Sequence, residues 1–185
     1  MKQIALPLAL SVALSVALLA SPAPAQMLED FTGSSADGWR FISDQVMGGV
    51  SEGRSGVEVR GGESFLRLTG TVSTENRGGF IQTRRDLPGG LPEGTKGVAL
   101  RARGDGQQYF MHLRTTGTVL PWQYYQAPFT PGPDWGEIRV PLSAFIASGA
   151  LLRATPRAGD VRSIALVAFG RDHRADVSLA RITLY

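Results

Sequence analysis

The sequence has no cysteine and only two histidines, His112 and His173. The absence of cysteine excludes disulfide bonds, zinc–thiolate sites and thiol chemistry, so a folded domain must be stabilised by its own core. Two histidines are too few for a multi-histidine metal site. A glycine-rich phosphate-binding loop that opens onto a helix is also missing. These absences argue against several common classes of enzyme.

Facing carboxylates are not evident either. A glycosidase needs two of them, and most acidic residues, such as Glu93 and Asp105, fall in predicted turns. His173, within Asp172-His173-Arg174, lies in a predicted turn between strands and is typical of a surface residue rather than a catalytic base. We therefore expect a protein that is not an enzyme.

Charge is scarce at the N-terminus. Lys2 precedes an apolar run from Ile4 to Ala20, and Ala23-Pro24-Ala25 matches the A-x-A pattern of signal-peptidase cleavage sites. The run is short for a membrane span of roughly 20 residues, and no cationic stop follows it. The sequence predicts a signal peptide over residues 1–25 and one domain over residues 26–185. The domain is expected to be periplasmic or secreted after cleavage near Ala25, without stable membrane insertion.

Lysine is nearly absent, and arginine supplies most of the positive charge. Without Lys2, the remaining 18 Lys and Arg against 16 Asp and Glu leave a net charge of +2. The arginines are scattered along the chain and form no basic stripe with interleaved aromatic residues, which argues against nucleic-acid binding.

Short runs rich in Val, Ile, Phe and Tyr, separated by Gly, Pro, Asp and Asn, predict β-strands nearly throughout. No segment could supply crossover helices, so the sheets should be antiparallel. The only predicted helix is short, Leu142–Ser148. The number and spacing of the strands predict an all-β fold, an antiparallel jelly-roll β-sandwich. The predicted strands are Trp39–Ser43, Val57–Val59, Ser64–Val72, Phe80–Arg84, Val98–Arg103, Tyr109–Arg114, Gln123–Ala127, Glu137–Pro141, Ser163–Phe169 and Ala175–Leu184.

Two of these strands flank the turn Gly104-Asp105-Gly106-Gln107 and are predicted to pair as a hairpin. Side chains alternate across a strand, so one face of the hairpin belongs to the core: Val98, Leu100, Ala102, Tyr109, Met111 and Leu113. The other face carries Arg101, Arg103, Gln108, Phe110 and His112. Arg114 extends this face by the same alternation.

This outer face is either a solvated surface or the floor of a concave binding site. In a binding site, arginine would meet hydroxyl or carboxylate groups and Phe110 would offer a ring face. The segment Pro121–Gln126 contains Trp122, Tyr124 and Tyr125, which could wall such a groove or simply fill a sandwich edge. If this face is a binding site, its predicted ligand contacts are Arg101, Phe110, His112, Arg114, Trp122 and Tyr124.

The segment Trp39–Ser51, with Asp44-Gln45-Val46-Met47-Gly48-Gly49-Val50-Ser51 at its end, is the most distinctive in the chain. With Asn76–Phe80, Tyr124–Phe129, Trp135 and Val140–Phe145, it resembles the complex I intermediate-associated protein 30 family, over roughly Asp30 to Tyr185. The resemblance implies a galactose-binding-like jelly roll. It also implies an assembly role, because mitochondrial members are chaperone-like factors for respiratory complex I. This chain has a predicted signal peptide in place of a mitochondrial presequence, which implies a compartment different from that of the mitochondrial members. We therefore expect this chain to share the family's character as a binding module rather than its role in complex I assembly.

The residues of this block admit two interpretations. In the structural one, Gly48 and Gly49 permit a tight turn, and Asp44 and Ser51 accept hydrogen bonds from its free N–H groups. In the functional one, the loops face a ligand, with Asp44 and Asn76 as polar contacts.

Two hypotheses of function follow. The first is a protein-interaction or assembly module with a partner in the cell envelope. The second is a carbohydrate-binding module that holds a glycan. No cofactor is implied, although sandwiches of this shape often carry a structural calcium ion, to which Asp30, Asp37 and Asp176 could contribute.

Overall fold

The structure, a computed structural model, describes residues 25–185, so the predicted signal peptide, apart from Ala25, lies outside the described residues. Those residues form twelve strands and five 3₁₀ helices. The strands are β1 Gln26–Glu29, β2 Arg40–Ser43, β3 Glu52–Arg60, β4 Glu63–Val72, β5 Phe80–Asp86, β6 Gly97–Gly104, β7 Tyr109–Thr115, β8 Tyr125–Phe129, β9 Gly136–Pro141, β10 Ile146–Ala147, β11 Val161–Phe169 and β12 His173–Leu184. The 3₁₀ helices are Gly33–Gly38, Asp44–Met47, Glu75–Arg77, Leu142–Ala144 and Ala158–Asp160. Over this part of the chain, no helix is long and apolar enough to cross a membrane.

The strands form two six-stranded sheets in which every pair is antiparallel. The first sheet has the order β3-β4-β12-β6-β9, with β1 also paired to β12. The second has the order β10-β8-β7-β11-β5-β2. The prediction of an all-β antiparallel sandwich is confirmed.

The core lies between the two sheets, and the predicted alternation is confirmed there. From β6, Val98, Leu100 and Ala102 face inward from the first sheet, with at most 1% of each residue exposed. From β7, the inward residues Tyr109, Met111 and Leu113 are fully buried in the second sheet. Burial of these apolar faces is the main source of stability in a chain without disulfides.

The predicted hairpin between β6 and β7 is wrong. β6 pairs with β9 and β12, whereas β7 pairs with β8 and β11. The segment Gly104–Gln107 therefore carries the chain from one sheet to the other, and the Gly104 N–H donates to the carbonyl of Gly132 at 2.7 Å. Alternation decides which face of a strand is buried but not which strand lies beside it, because both sheets bury a face on the same core.

The other predicted strands occur, with changes at their ends and two additions. β3 extends well beyond Val57–Val59 because it is an exposed edge strand, in which polar residues are tolerated. β1 and β10 were not predicted, since each is a short strand defined by its pairing with a neighbour. The predicted helix Leu142–Ser148 is a 3₁₀ turn at Leu142–Ala144 followed by β10.

The crossing between the sheets is fixed by the buried ring of Tyr109. Its hydroxyl donates to Asp105 Oδ1 at 2.9 Å and accepts from the Asp176 N–H at 2.8 Å. One side chain of the second sheet thus holds both the crossing segment and β12 of the first. The pKa of Tyr109 is raised, mainly by burial of the ring. The phenol therefore stays protonated.

We expect Tyr109→Phe to lower the free energy of unfolding by about 1–2 kcal/mol, because the Asp176 N–H and the Asp105 carboxylate both lose a partner. Urea denaturation measures this. The matched control is Tyr125→Phe, since the Tyr125 ring is as deeply buried while its hydroxyl makes no hydrogen bond to the described residues. Equal losses in the two variants would contradict the role of the Tyr109 hydroxyl.

Candidate functional site

The outer face of the second sheet is hollowed into a trough of about 650 Å³. Its floor is the outward side of β11, namely Ser163, Ala165, Val167 and Phe169. Residues of β5 and β7 flank that floor, and the two rims are the Asp44–Met47 turn and the segment Pro121–Tyr124. We call this feature the trough.

The trough exists because small side chains on β11 lie between large ones. In the ladder, Arg84 of β5 is opposite Ala165, Ala165 is opposite His112 of β7, and His112 is opposite Gln126 of β8. Residues opposite one another in a sheet point to the same face. Ala165 therefore leaves a depression between the Arg84 and His112 side chains.

Aromatic rings line one side of the trough. The His112 and Tyr124 rings are stacked, with centroids 4.3 Å apart and planes at 7°. Phe169 presents an edge to both rings, at 6.1 Å from His112 and 6.5 Å from Tyr124. Phe110 lies perpendicular to Phe169 at 6.0 Å. Trp122 stands on the rim with 67% of its surface exposed.

His112 is a packing surface here and not a charged group. Only 8% of the residue is exposed, and burial lowers its pKa to about 3, with the Gln126 carboxamide opposing the shift. The imidazole is therefore neutral near pH 7. Gln126 lies close enough to influence the imidazole, but neither His112 Nε2 nor Gln126 Oε1, both buried, makes a hydrogen bond of good geometry with residues 25–185.

Arginine supplies the charge of the trough. The Arg114 guanidinium donates to the carbonyls of Thr118 at 3.0 Å, Leu120 at 2.9 Å and Pro121 at 3.4 Å, and so positions the rim that carries Trp122. Burial lowers the pKa of Arg114, and the nearby charge of Arg84 lowers it further. Arg77 also lines the trough, and no Asp or Glu is among its lining residues.

The distinctive Asp44–Ser51 segment is organised around a buried carboxylate. Asp44 has no exposed surface. Its Oδ1 accepts from the Ser51 N–H at 2.9 Å. Its Oδ2 accepts from the Ser51 hydroxyl at 2.5 Å, the Gly79 N–H at 2.5 Å and the Phe80 N–H at 3.2 Å.

Glycine is required on both sides of this carboxylate. A Cβ atom at Gly49 would lie 2.3 Å from Asp44 Cγ, and one at Gly78 would lie 2.4 Å from Asp44 Oδ2. Gly48 has the positive φ of 89° that the turn needs, whereas Gly49 is needed for close approach. The structural interpretation of the Gly-Gly pairs therefore accounts for their presence.

The two polar contacts that the functional interpretation placed in these loops do not lie in the trough. Asp44 is buried, and Asn76 is an exposed turn residue at φ 54° that does not line the trough, although its neighbour Arg77 does. The loop instead presents Val46 and Met47 at the rim, with 76% and 63% of each residue exposed.

Arg101 does not share a site with His112, contrary to the sequence-based prediction. β6 belongs to the first sheet, so Arg101 lies on the opposite outer face of the sandwich. Its Nε donates to Glu63 Oε1 at 2.9 Å, and its guanidinium is 5.5 Å from the Trp135 ring centroid. The remaining predicted contacts, Phe110, His112, Arg114, Trp122 and Tyr124, lie in or beside the trough. Sequence reasoning missed Arg84, whose place is set by pairing with β11 rather than by any local motif.

A serine-nucleophile motif occurs in the sequence but not in a catalytic setting. Gly49-Val50-Ser51-Glu52-Gly53 matches the Gly-x-Ser-x-Gly pattern. Ser51 is fully buried, its hydroxyl donates to Asp44, and the edge strand β3 follows it rather than a helix. The serine stabilises the loop.

The aspartates considered for calcium are not brought together. Asp30 accepts from Thr32 in its own loop, and Asp176 accepts two hydrogen bonds from Arg67. In the part of the chain that the structure describes, no three acidic or histidine side chains form a group that could hold a metal ion. A second hollow of about 790 Å³ contains this Arg67–Asp176 pair. Because that pair is already satisfied, the trough is the better candidate site.

The sandwich belongs to a class with many solved examples. A family 11 carbohydrate-binding module of a cellulosomal cellulase from Clostridium thermocellum is 18% identical, with a TM-score of 0.72 over 89% of this chain and 95% of that chain. A family 11 module from the same organism in complex with a β-1,3-1,4-mixed-linked tetrasaccharide is 17% identical, with a TM-score of 0.71 over 89% and 96%. A family 30 carbohydrate-binding module is 14% identical, with a TM-score of 0.55 over 78% and 80%. The chain thus has the jelly-roll, galactose-binding-like fold that its sequence predicts.

A family profile identifies the chain more closely. The profile for Complex I intermediate-associated protein 30 matches residues 29–179. The chain belongs to this family, and the resemblance seen in the sequence is confirmed. A search of curated protein sequences found no match. Fold and family together support a non-catalytic binding module.

We expect Asp44→Asn to lower the free energy of unfolding by about 2–3 kcal/mol, because the amide keeps the shape of the carboxylate but turns one acceptor into a donor among buried N–H groups. Urea denaturation tests this against Asp37→Asn, which changes an exposed aspartate. If the two variants lost equal stability, the buried carboxylate would not be the anchor of the loop.

Asp44 also predicts a specific response to acid. Burial alone would raise its pKa, but the hydrogen bonds from Gly79, Ser51 and Phe80 together lower it below the ordinary value of 3.8. The folded state therefore binds this proton less readily than the unfolded state, and the stabilisation is present above about pH 4 and is lost as pH falls through the folded pKa. As pH falls below about 4, the wild type should lose more stability than Asp44→Asn. Parallel curves of unfolding free energy against pH would count against this assignment.

Proposed function

We propose that this protein is exported and acts as a carbohydrate-binding module whose glycan lies in the trough of the second sheet. The observation that carries the proposal is the wall of stacked aromatic rings, His112 and Tyr124, next to unpaired polar groups. Sugar rings offer apolar C–H faces to aromatic rings and hydroxyl groups to arginine and amide side chains. The trough provides both within one concave surface.

The polar groups are placed for hydroxyl recognition. Gln82 and Arg84 of β5 lie across the β11 floor from the aromatic wall, and Ser148 lies beside Tyr124 at the other edge. The Tyr124 N–H donates to the Ser148 hydroxyl at 3.0 Å, which fixes the strand end that carries the ring. The Ser148 hydroxyl in turn donates to the Trp122 carbonyl at 3.2 Å, so the donors that Gln82 and Arg84 offer lie on one side of a ligand stacked on Tyr124.

The comparisons support this proposal at the level of fold. The three solved structures compared above are carbohydrate-binding modules, and one of them holds a mixed-linked tetrasaccharide. Their identity to this chain is below one fifth, so the ligand of this chain must be inferred from its own trough.

A second candidate function has its own observation. Val46 and Met47 on one rim and Trp122 on the other are exposed apolar side chains held on structured loops. Such a patch suits a protein partner, and the family is described as one of complex I intermediate-associated proteins. This candidate is an assembly factor that binds a protein of the cell envelope.

We expect Tyr124→Ala to weaken glycan binding by about tenfold or more, because the ring contributes stacking area and also supports His112. Tyr124→Phe keeps the ring and should bind within about threefold of the wild type. A glycan array followed by isothermal titration calorimetry measures both variants.

The two candidates give different results in this experiment. Glycan binding that survives Tyr124→Ala would place the site elsewhere and overturn the proposal. No binding across the array, together with capture of one envelope protein that is lost in a Val46→Ser, Met47→Ser variant but kept in Val59→Ser, would favour the assembly factor. Val59 is a matched control because it is 66% exposed on β3 of the first sheet.

A further inference from the structure

Three arginines, Arg77, Arg84 and Arg114, line the trough. The described residues contain six ion pairs, which involve Arg40, Arg60, Arg67, Arg85 and Arg101. None of them involves Arg77, Arg84 or Arg114. The carboxylate on the same face of β5, Asp86, is paired to Arg40 at 2.6 Å and does not line the trough. The trough therefore carries positive charge that the described residues leave uncompensated.

Arg84 is the most informative of the three. Its Nε is buried, and its side chain has no hydrogen-bond or ion-pair partner among residues 25–185. A buried N–H without an acceptor is unfavourable, so an acceptor supplied by a ligand would stabilise the complex. The space in front of this side chain lies over Ala165, between Arg84 and His112.

Arg114 adds a second, preorganised cation. Three backbone carbonyls of the rim hold its guanidinium in place, and its pKa is lowered by burial and by the charge of Arg84. Two cations at one partly buried surface repel each other, and an anion between them would relieve that repulsion. The neutral His112 supports the Tyr124 ring from beneath and adds no competing charge.

We propose that the ligand of the trough is an acidic glycan, whose carboxylate or sulfate group binds at Arg84 and Arg114 while a neighbouring ring stacks on Tyr124. This inference rests on the proposed function and names its substrate class. The planar guanidinium fork matches both anions. Arg84 is separated from the Tyr124 ring, which stacks on His112, by Ala165 and His112 on two neighbouring strands, whereas Arg114 lies two residues from His112 on β7 itself.

The experiment uses protein purified from cells that express the full chain. Calorimetric titrations compare polygalacturonate and alginate, which carry carboxylates, with dextran sulfate, which carries sulfates, and with neutral mixed-linked β-glucan and dextran. We expect at least one acidic polymer to bind about tenfold or more tightly than the neutral ones, and its affinity to fall as salt is raised from about 0.05 M to 0.5 M. A response to the uronates alone assigns a carboxylate, and a response to dextran sulfate alone assigns a sulfate.

The variants separate a specific site from general attraction to a cationic surface. Arg84→Gln should weaken acidic binding about tenfold or more and any neutral binding by a smaller factor, because an anion loses a charge-assisted hydrogen bond whereas a sugar hydroxyl loses a weaker one. Arg84→Lys keeps the charge but loses the fork, so it should fall between the two. The matched control is Arg181→Gln, which removes an exposed arginine of β12 on the first sheet and should behave as the wild type.

Three outcomes would overturn the inference. Equal losses for Arg84→Gln and Arg181→Gln would mean non-specific attraction. Neutral glycans that bind as tightly as acidic ones, with dependence on Tyr124, would overturn the acidic class while the proposed function stands. Binding to none of the five polymers would overturn both.

Discussion

One buried carboxylate holds this end of the sandwich together. Asp44 follows β2 of the second sheet and accepts hydrogen bonds from Ser51, just before β3 of the first sheet, and from Gly79 and Phe80, where the chain enters β5. The Ser51 hydroxyl in turn accepts from the Ser73 N–H at 3.0 Å, just after β4. Charge-assisted bonds of this kind are stronger than neutral ones, so four chain segments from both sheets depend on a single side chain.

The trough depends on that anchor without containing it. Val46, Met47, Gly78 and Phe80 line the trough, and each is within three residues of a group bonded to Asp44 or to its partners. The residues that carry the family resemblance are thus largely those that build and fix one rim. The residues that give the trough its chemistry, Arg84 and His112, lie outside that block. Family membership therefore accounts for the sandwich and for the rim that carries Val46 and Met47. The class of ligand must be inferred from Arg84 and His112 instead.

Sequence alone predicted the inward and outward faces of the strands well, because alternation is local to each strand. It failed where pairing between distant strands decides the outcome. Arg101 and His112 share a face in a hairpin but lie on opposite faces of the sandwich once β6 and β7 join different sheets. Asp44 looked equally suited to a ligand or to a turn, and only its complete burial distinguishes the two. In the sequence, Arg84 looks like any solvent-exposed arginine of a strand. Only the pairing of β5 with β11 shows that it lies opposite Ala165.

The charge of the trough should be nearly constant over the ordinary pH range. Burial lowers the pKa of His112 to about 3, so its imidazole adds no charge above about pH 4. Arginine stays protonated in proteins, and no carboxylate lines the trough to titrate against it. Any pH dependence of ligand binding near neutrality must then come from the acid groups of the ligand itself. Uronate carboxylates and sulfate esters are both ionised near neutral pH, which is the range in which a receptor made of fixed cations and neutral rings holds an anion best.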